Sequence, residues 1–354
     1  MKIYRITTLF ILVAMLVAAC SSRGGSSKVL NLYAWSEYVP QTMLDNFTQQ
    51  TGIKVNYDTY SSNEELLAKL QAGASGFDLI IPSDYLVTSM IHQNMLEKLD
   101  LSKIPNFANI DSRFVNPSFD PNNQYTVPYQ WGTTGILYDP AAVPTAPTSW
   151  ADLWDPTYAN HLVALDDERE VIGVALQVLG FSKNTTDSQQ LEEAKQKLLE
   201  LMPNIRLFDS DSPESAILAG EAWAGIVWNG NASLGYAENP ALEYICPEEG
   251  CGIWFDNLAI PKDAQHIDAA LQFINYVLSS EASVLISMEF PYSNPNAAAL
   301  EYLQTSNPAV YENYMSFAGT NPSEEFLARA TELVDVGEAT TIYDRIWTEI
   351  KGGQ

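Results

Sequence analysis

In the stretch Gly252-Ile-Trp-Phe-Asp-Asn-Leu-Ala-Ile-Pro261, an indole and a carboxylate stand two residues apart in what reads as one β-strand. Successive strand side chains point to opposite faces, so Trp254 and Asp256 share one. A flat apolar wall beside a fixed negative charge is a surface for a cation that carries hydrocarbon. Aromatic rings next to acids or hydroxyls recur in Trp35-Ser36-Glu37-Tyr38 and Ser83-Asp84-Tyr85, and further rings stand at Trp228 and Tyr292. An aromatic face attracts an ammonium group by roughly 0.5–2 kcal/mol, depending on desolvation, and also packs on methylenes. A slender molecule of alternating amine and hydrocarbon would use both properties.

A second acidic candidate is Asp166-Asp-Glu-Arg-Glu170. Asp167 and Glu170, three apart, match a capping box, in which Asp is the N-cap and Glu reaches back. At a strand-to-helix turn the two carboxylates also face a crevice, and the helix amino end is expected to keep them ionised for a cationic ligand. Evidence for catalysis is thin: there is no Gly-x-Ser-x-Gly elbow, phosphate loop, zinc motif or Cys–His pair. Asp209-Ser-Asp-Ser-Pro-Glu214 lacks the glycine and the terminal glutamate of a calcium loop. It reads as a turn and helix start, with Asp211 outside the site. Paired acids leave an exported hydrolase as an alternative.

These residues need a scaffold, and the hydrophobic pattern supplies one. Strands are predicted at Val29–Tyr33, Ile53–Tyr57 and Phe77–Ile81, alternating with helices over Pro40–Thr51 and Asn63–Ala72 that stop at Gly52 and Gly73. Such alternation is the signature of an α/β fold with a parallel sheet, whose strands end at one ligand-binding crevice. Trp35 to Tyr38 and Ser83 to Tyr85 fall at those ends, although Ser36 or Ser83 would serve equally as a helix N-cap. Beyond a strand at Gly135–Tyr138, a proline-rich passage and the turn-like Trp150–Trp154, a second set of elements follows. Strands are predicted at Leu162–Leu165 and Ala222–Trp228, and helices at Val171–Leu179, Gln189–Leu201, Asp268–Leu278 and Thr340–Lys351.

The 354 residues suffice for two domains, and 46% hydrophobic with 18% charged residues describes a globular protein. Residues 1–19 read instead as an export signal: a basic start, an apolar run from Leu9 to Ala19, then Val17-Ala-Ala-Cys20. Small residues before a cysteine look like a bacterial lipoprotein signal, with Cys20 carrying the lipid and residues 20–27 forming a flexible tether. Cleavage would remove Lys2 and Arg5, making the net charge more negative than −26. Such a surface repels nucleic acid. In an exported protein Cys246 and Cys251, with Pro and Gly between them, are expected to form a disulfide. His92, His161 and His266 are scattered and read as surface residues. No metal site or cofactor is expected.

Taken in order, Tyr33-Ala-Trp-Ser-Glu-Tyr38, Gly76-Phe-Asp-Leu-Ile-Ile-Pro-Ser83, Asp120-Pro-Asn-Asn-Gln-Tyr125, Trp228-Asn-Gly and Ile253 to Pro261 resemble the bacterial spermidine/putrescine-binding proteins of polyamine ABC importers. The resemblance runs from about Val29 to the C-terminus. It implies a two-lobed periplasmic-binding fold (type II), each lobe a central sheet flanked by helices, with crossings near Gly132, Asp256 and residue 302. One lobe would comprise 28–133 and 257–301, the other 134–256 and 302–354. It further implies that Asp167, Glu170 and Asp256 pair with ligand amines, and that Trp35, Tyr38, Tyr85, Trp254 and Tyr292 form an aromatic box with Trp228 beside it. Ser36, Glu37, Ser83 and Ser210 would be supporting contacts. Where spermidine binders carry a ligand-contacting glutamine, this chain has Leu333, leaving an amine short of a partner. The implied protein is a monomer held outside the cytoplasm by lipid alone, delivering a polyamine to importer permease subunits. Spermidine is favoured over putrescine, with another solute, a sugar or a metal ion, as the alternative within the same fold.

Overall fold

The computed structural model describes residues 28–73 and 76–352. Cys20, the signal and the whole tether lie outside them. Ten strands form one sheet: β1 (Val29–Trp35), β2 (Lys54–Tyr60), β3 (Leu79–Ile80), β4 (Thr126–Tyr138), β5 (Leu162–Ala164), β6 (Ile205–Phe208), β7 (Ala224–Trp228), β8 (Glu243–Ile245), β9 (Gly252–Ala259) and β10 (Thr331–Glu332). The order is β2-β1-β3-β9-β4-β7-β5-β6, with β10 on β9 and β8 on β4. Parallel pairing holds β1 to β2 and β3, and β5 to β6 and β7, as the alternating pattern requires.

The join between these halves is antiparallel. β4 pairs with β9 from Thr126 to Thr134 and with β7 from Thr134 to Tyr138. β4 is far longer than the strand expected from Gly135, because Pro128 reads as a strand breaker. Its register with β9 shifts between Pro128 and Gln130, and such an irregularity accommodates a residue that cannot donate to the ladder.

Local signals fix the other elements. Helix Gln41–Thr51 ends at Gly52 with φ 71°, and helix Asn63–Gln71 starts from a Ser62 side chain that accepts the Glu65 N–H at 3.1 Å. Cys246 and Cys251 are joined. The buried apolar residues fall into three clusters. One draws on Leu30 to Tyr129, Trp254 to Tyr292 and Leu333; a second runs from Ile136 to Ile350; a third packs Leu137, Val227 and Tyr244 against Phe317 and Phe326.

Candidate functional site

Trp254 and Asp256 share a face of β9, and both are buried. The Asp256 carboxylate accepts from Ser83 Oγ at 2.6 Å and from the Tyr38 hydroxyl at 2.5 Å. Ser83 opens helix Asp84–His92 but makes no side-chain cap bond. Its hydroxyl serves Asp256, and Asn63 donates to that hydroxyl at 3.0 Å. Ser36 is no cap either, since the next helix starts after Pro40. Burial pushes the Tyr38 phenol well up, so it remains a donor. No cation among the described residues accompanies Asp256, and burial raises its carboxyl to about 7 even though Ser83 and Tyr38 favour the charged form.

Rings enclose this carboxylate. Trp35 lies edge-on to Trp228 with centroids 5.6 Å apart, Trp254 edge-on to Tyr292 at 5.5 Å, and Tyr38 edge-on to Tyr292 at 5.3 Å. Trp35 spends its N–H on the Ile81 carbonyl at 2.9 Å, whereas the buried Trp254 N–H has no partner among the described residues. Two glycines make room for the rings. A Cβ at Gly132 would lie 2.5 Å from the Trp254 ring and 2.0 Å from Asn229 Oδ1, and one at Gly230 would lie 2.3 Å from Tyr292.

All thirteen expected positions, Trp35, Ser36, Glu37, Tyr38, Ser83, Tyr85, Asp167, Glu170, Ser210, Trp228, Trp254, Asp256 and Tyr292, line one narrow slot of about 40 Å³. Leu333 lines it too. Ser210 faces inward less freely than expected, since its hydroxyl accepts the Asp166 N–H at 2.9 Å.

Three expectations need correction. Asp211, placed outside the site, is exposed but stands on the slot wall, where it and Asp209 add to burial in raising the Glu37 carboxyl. The helix amino end does not keep Asp167 ionised. Asp167 caps the helix, accepting the Glu170 N–H at 3.0 Å, yet burial and the nearby Glu64 and Glu170 carboxylates push it up. Glu170 does not reach back to complete a capping box. Its oxygens accept from Thr134 Oγ1 at 2.8 Å and Lys183 Nζ at 3.2 Å.

Lys183 is the main residue that sequence reasoning missed. Its ammonium is buried against Glu170, but Phe181-Ser-Lys-Asn carries no motif that sets it apart from a surface lysine. Tyr60, Ser61, Asn63, Asn231 and Leu234 also line the slot. Tyr60 ends β2, and Ser61 and Asn63 follow it, so the strand-end argument applied to β1 and β3 would have found them.

The family of bacterial extracellular solute-binding proteins matches residues 42–315. The chain belongs to that family. Its fold is the two-lobed periplasmic-binding fold, and the family is one of transport solute-binding proteins, not enzymes. Among relatives of this solute-binding protein, the spermidine/putrescine-binding periplasmic protein of Salmonella typhimurium is 40% identical over 343 residues, 96% of this chain and 97% of that one. A solved Listeria monocytogenes structure described as a spermidine/putrescine ABC transporter superposes with a TM-score of 0.87 at 34% identity, covering 93% of this chain and 100% of that one. The TpPotD lipoprotein of Treponema pallidum gives 0.76 at 32% identity, covering 91% and 99%. The resemblance to spermidine/putrescine-binding proteins drawn from the sequence is thus borne out.

Proposed function

We propose that this protein captures a linear polyamine in the slot between its lobes and hands it, chemically unchanged, to an ABC importer. The observation that carries this reading is Asp256: a buried carboxylate without a cation among the described residues, enclosed by aromatic rings in the slot. An ammonium group would supply the missing charge, and methylenes would pack on the rings. Asp256, Asp167, Glu37 and Asp211 have no ion-pair partner among the described residues, whereas Glu170 is tied to Lys183. These are more unpaired carboxylates than a diamine can neutralise, which favours the triamine spermidine over putrescine. Ser36, Ser83, Tyr85 and Ser210 support these contacts.

We divide the chain into lobes of 28–133 with 257–301 and 134–256 with 302–354, a division supported by the grouping of its apolar clusters. Hinge bending over β4 and β9 would bring the two walls together and strengthen each charge pair as water leaves. The protein acts as a monomer outside the cytoplasm, lipid-anchored through Cys20, in keeping with the periplasmic Salmonella relative and the Treponema lipoprotein.

Calorimetric titration with spermidine, putrescine and an uncharged sugar at two salt concentrations tests the reading. One polyamine per chain, bound less tightly at high salt and with spermidine ahead, is the expected result. Heat from the sugar alone, or none from either polyamine in a sample freed of bound ligand, would refute it.

A further inference from the structure

Beside the slot lies a second, wider chamber of about 540 Å³, and Tyr85 and Leu333 line both. Its walls combine aromatic rings with four carboxylates, Asp84, Asp120, Glu332 and Asp335. Two of these are engaged. Asp120 closes its own turn, accepting the N–H groups of Gln124, Tyr125 and Thr126 and the Thr126 hydroxyl. Asp335 accepts the Gly337 N–H at 2.9 Å and faces His92 at 4.0 Å.

The other two are not. Asp84 is 3% exposed; one oxygen accepts the Tyr85 N–H at 2.8 Å, and the other has no hydrogen-bond partner. Glu332 is exposed, and its carboxylate has no hydrogen-bond or ion-pair partner among the described residues. Burial and the charge of Glu332 both act against the ionised form of Asp84. Asp84, a buried carboxylate with an unpartnered oxygen, and Glu332 line the same aromatic-walled chamber, and neither has a cation partner among the described residues. Leu333, buried between slot and chamber, offers hydrocarbon and no hydrogen bond. It therefore suits the methylenes of a chain passing from one space to the other. Arg169, 5.2 Å from the Tyr85 ring centroid, lines neither space.

We propose that the chamber is a second cation site, in which Asp84 and Glu332 hold a terminal ammonium of a linear tetraamine whose remaining nitrogens occupy the slot. This rests on the polyamine reading above and extends it to longer chains. The probes are spermine, a tetraamine, and spermidine, a triamine, titrated calorimetrically into the wild type, Asp84→Asn and Glu332→Gln. Spermine is expected to bind one per chain, and each substitution to weaken it by about 10- to 100-fold, the range of a charge-assisted hydrogen bond. Spermidine affinity should change by less than about threefold. Glu332 is exposed, so Glu332→Gln keeps the test sound if Asp84→Asn disturbs folding. Parallel losses for both ligands, or spermine binding untouched by both substitutions, would overturn the proposal while leaving spermidine capture standing. A wild type that binds neither would overturn both readings.

Discussion

Asp256→Asn separates what this carboxylate does for the ligand from what it costs the fold. Asparagine keeps the size and an acceptor for Ser83, but removes the charge. In the unfolded chain the Asp256 proton leaves near pH 3.8; in the folded, ligand-free protein it is held to about 7. Between those values the folded state binds a proton that the unfolded state has lost, so stability falls as pH rises. The contribution is whole below 3.8 and gone above 7, a loss of about 4 kcal/mol at roughly 1.4 kcal/mol per pH unit. Asp256→Asn escapes that loss. Less about 1 kcal/mol for a poorer hydrogen bond with Tyr38, the ligand-free variant should exceed the wild type by about 3 kcal/mol at pH 8 and by little at pH 4–5. Urea denaturation at both pH values reads this directly. Spermidine binding should move the other way and weaken by about 3–5 kcal/mol, roughly two to three and a half powers of ten, as one partner of a buried charge pair is lost. Equal stability differences at both pH values would refute the ionisation argument. A loss in affinity below tenfold would refute the placing of an ammonium at Asp256.

Three further perturbations probe the surroundings. Trp254→Leu removes an indole that meets Tyr292 at 5.5 Å; polyamine affinity should fall about 10-fold or more by calorimetry, consistent with the upper range for a desolvated cation–π contact. Lys183→Met strands Glu170 without its cation, since both side chains are almost fully buried. The ligand-free protein should lose about 3–5 kcal/mol in urea denaturation, and Lys183→Met/Glu170→Gln should recover most of it. Gly132→Ala would press a methyl against the Trp254 ring and Asn229 Oδ1; a cost of about 1–3 kcal/mol in thermal or urea unfolding is expected, with a loss of binding as the indole shifts.

The strand periodicity of Trp254 and Asp256 was readable in the sequence because a two-residue spacing on a strand fixes a face whatever the rest of the fold does. The slot's other walls were readable for a related reason: Trp35 and Tyr85 follow strands whose ends the α/β pattern brings together. Ionisation was not readable. The Asp167 N-cap could be seen, but the helix end that favours its charge is outweighed by burial and by Glu64, about a hundred residues earlier in the chain. The Lys183–Glu170 pair joins a loop residue to a helix start across 13 positions with no periodicity between them. The turn accounts for Asp211 in the sequence, yet the same turn stands on the slot wall.

The composition of the first apolar cluster bears on how the chain must be made. That cluster unites Leu30 to Tyr129 with Trp254 to Tyr292, and β3 and β4 are both bridged by β9. During synthesis at about 5–20 residues per second, roughly 6–25 s separate Tyr129 from Trp254. Throughout that interval the first half of the sheet has an open edge and an unfilled core, and its contacts of high sequence separation form slowly. The strand that carries Asp256 thus sets the earliest time at which the first core can be completed.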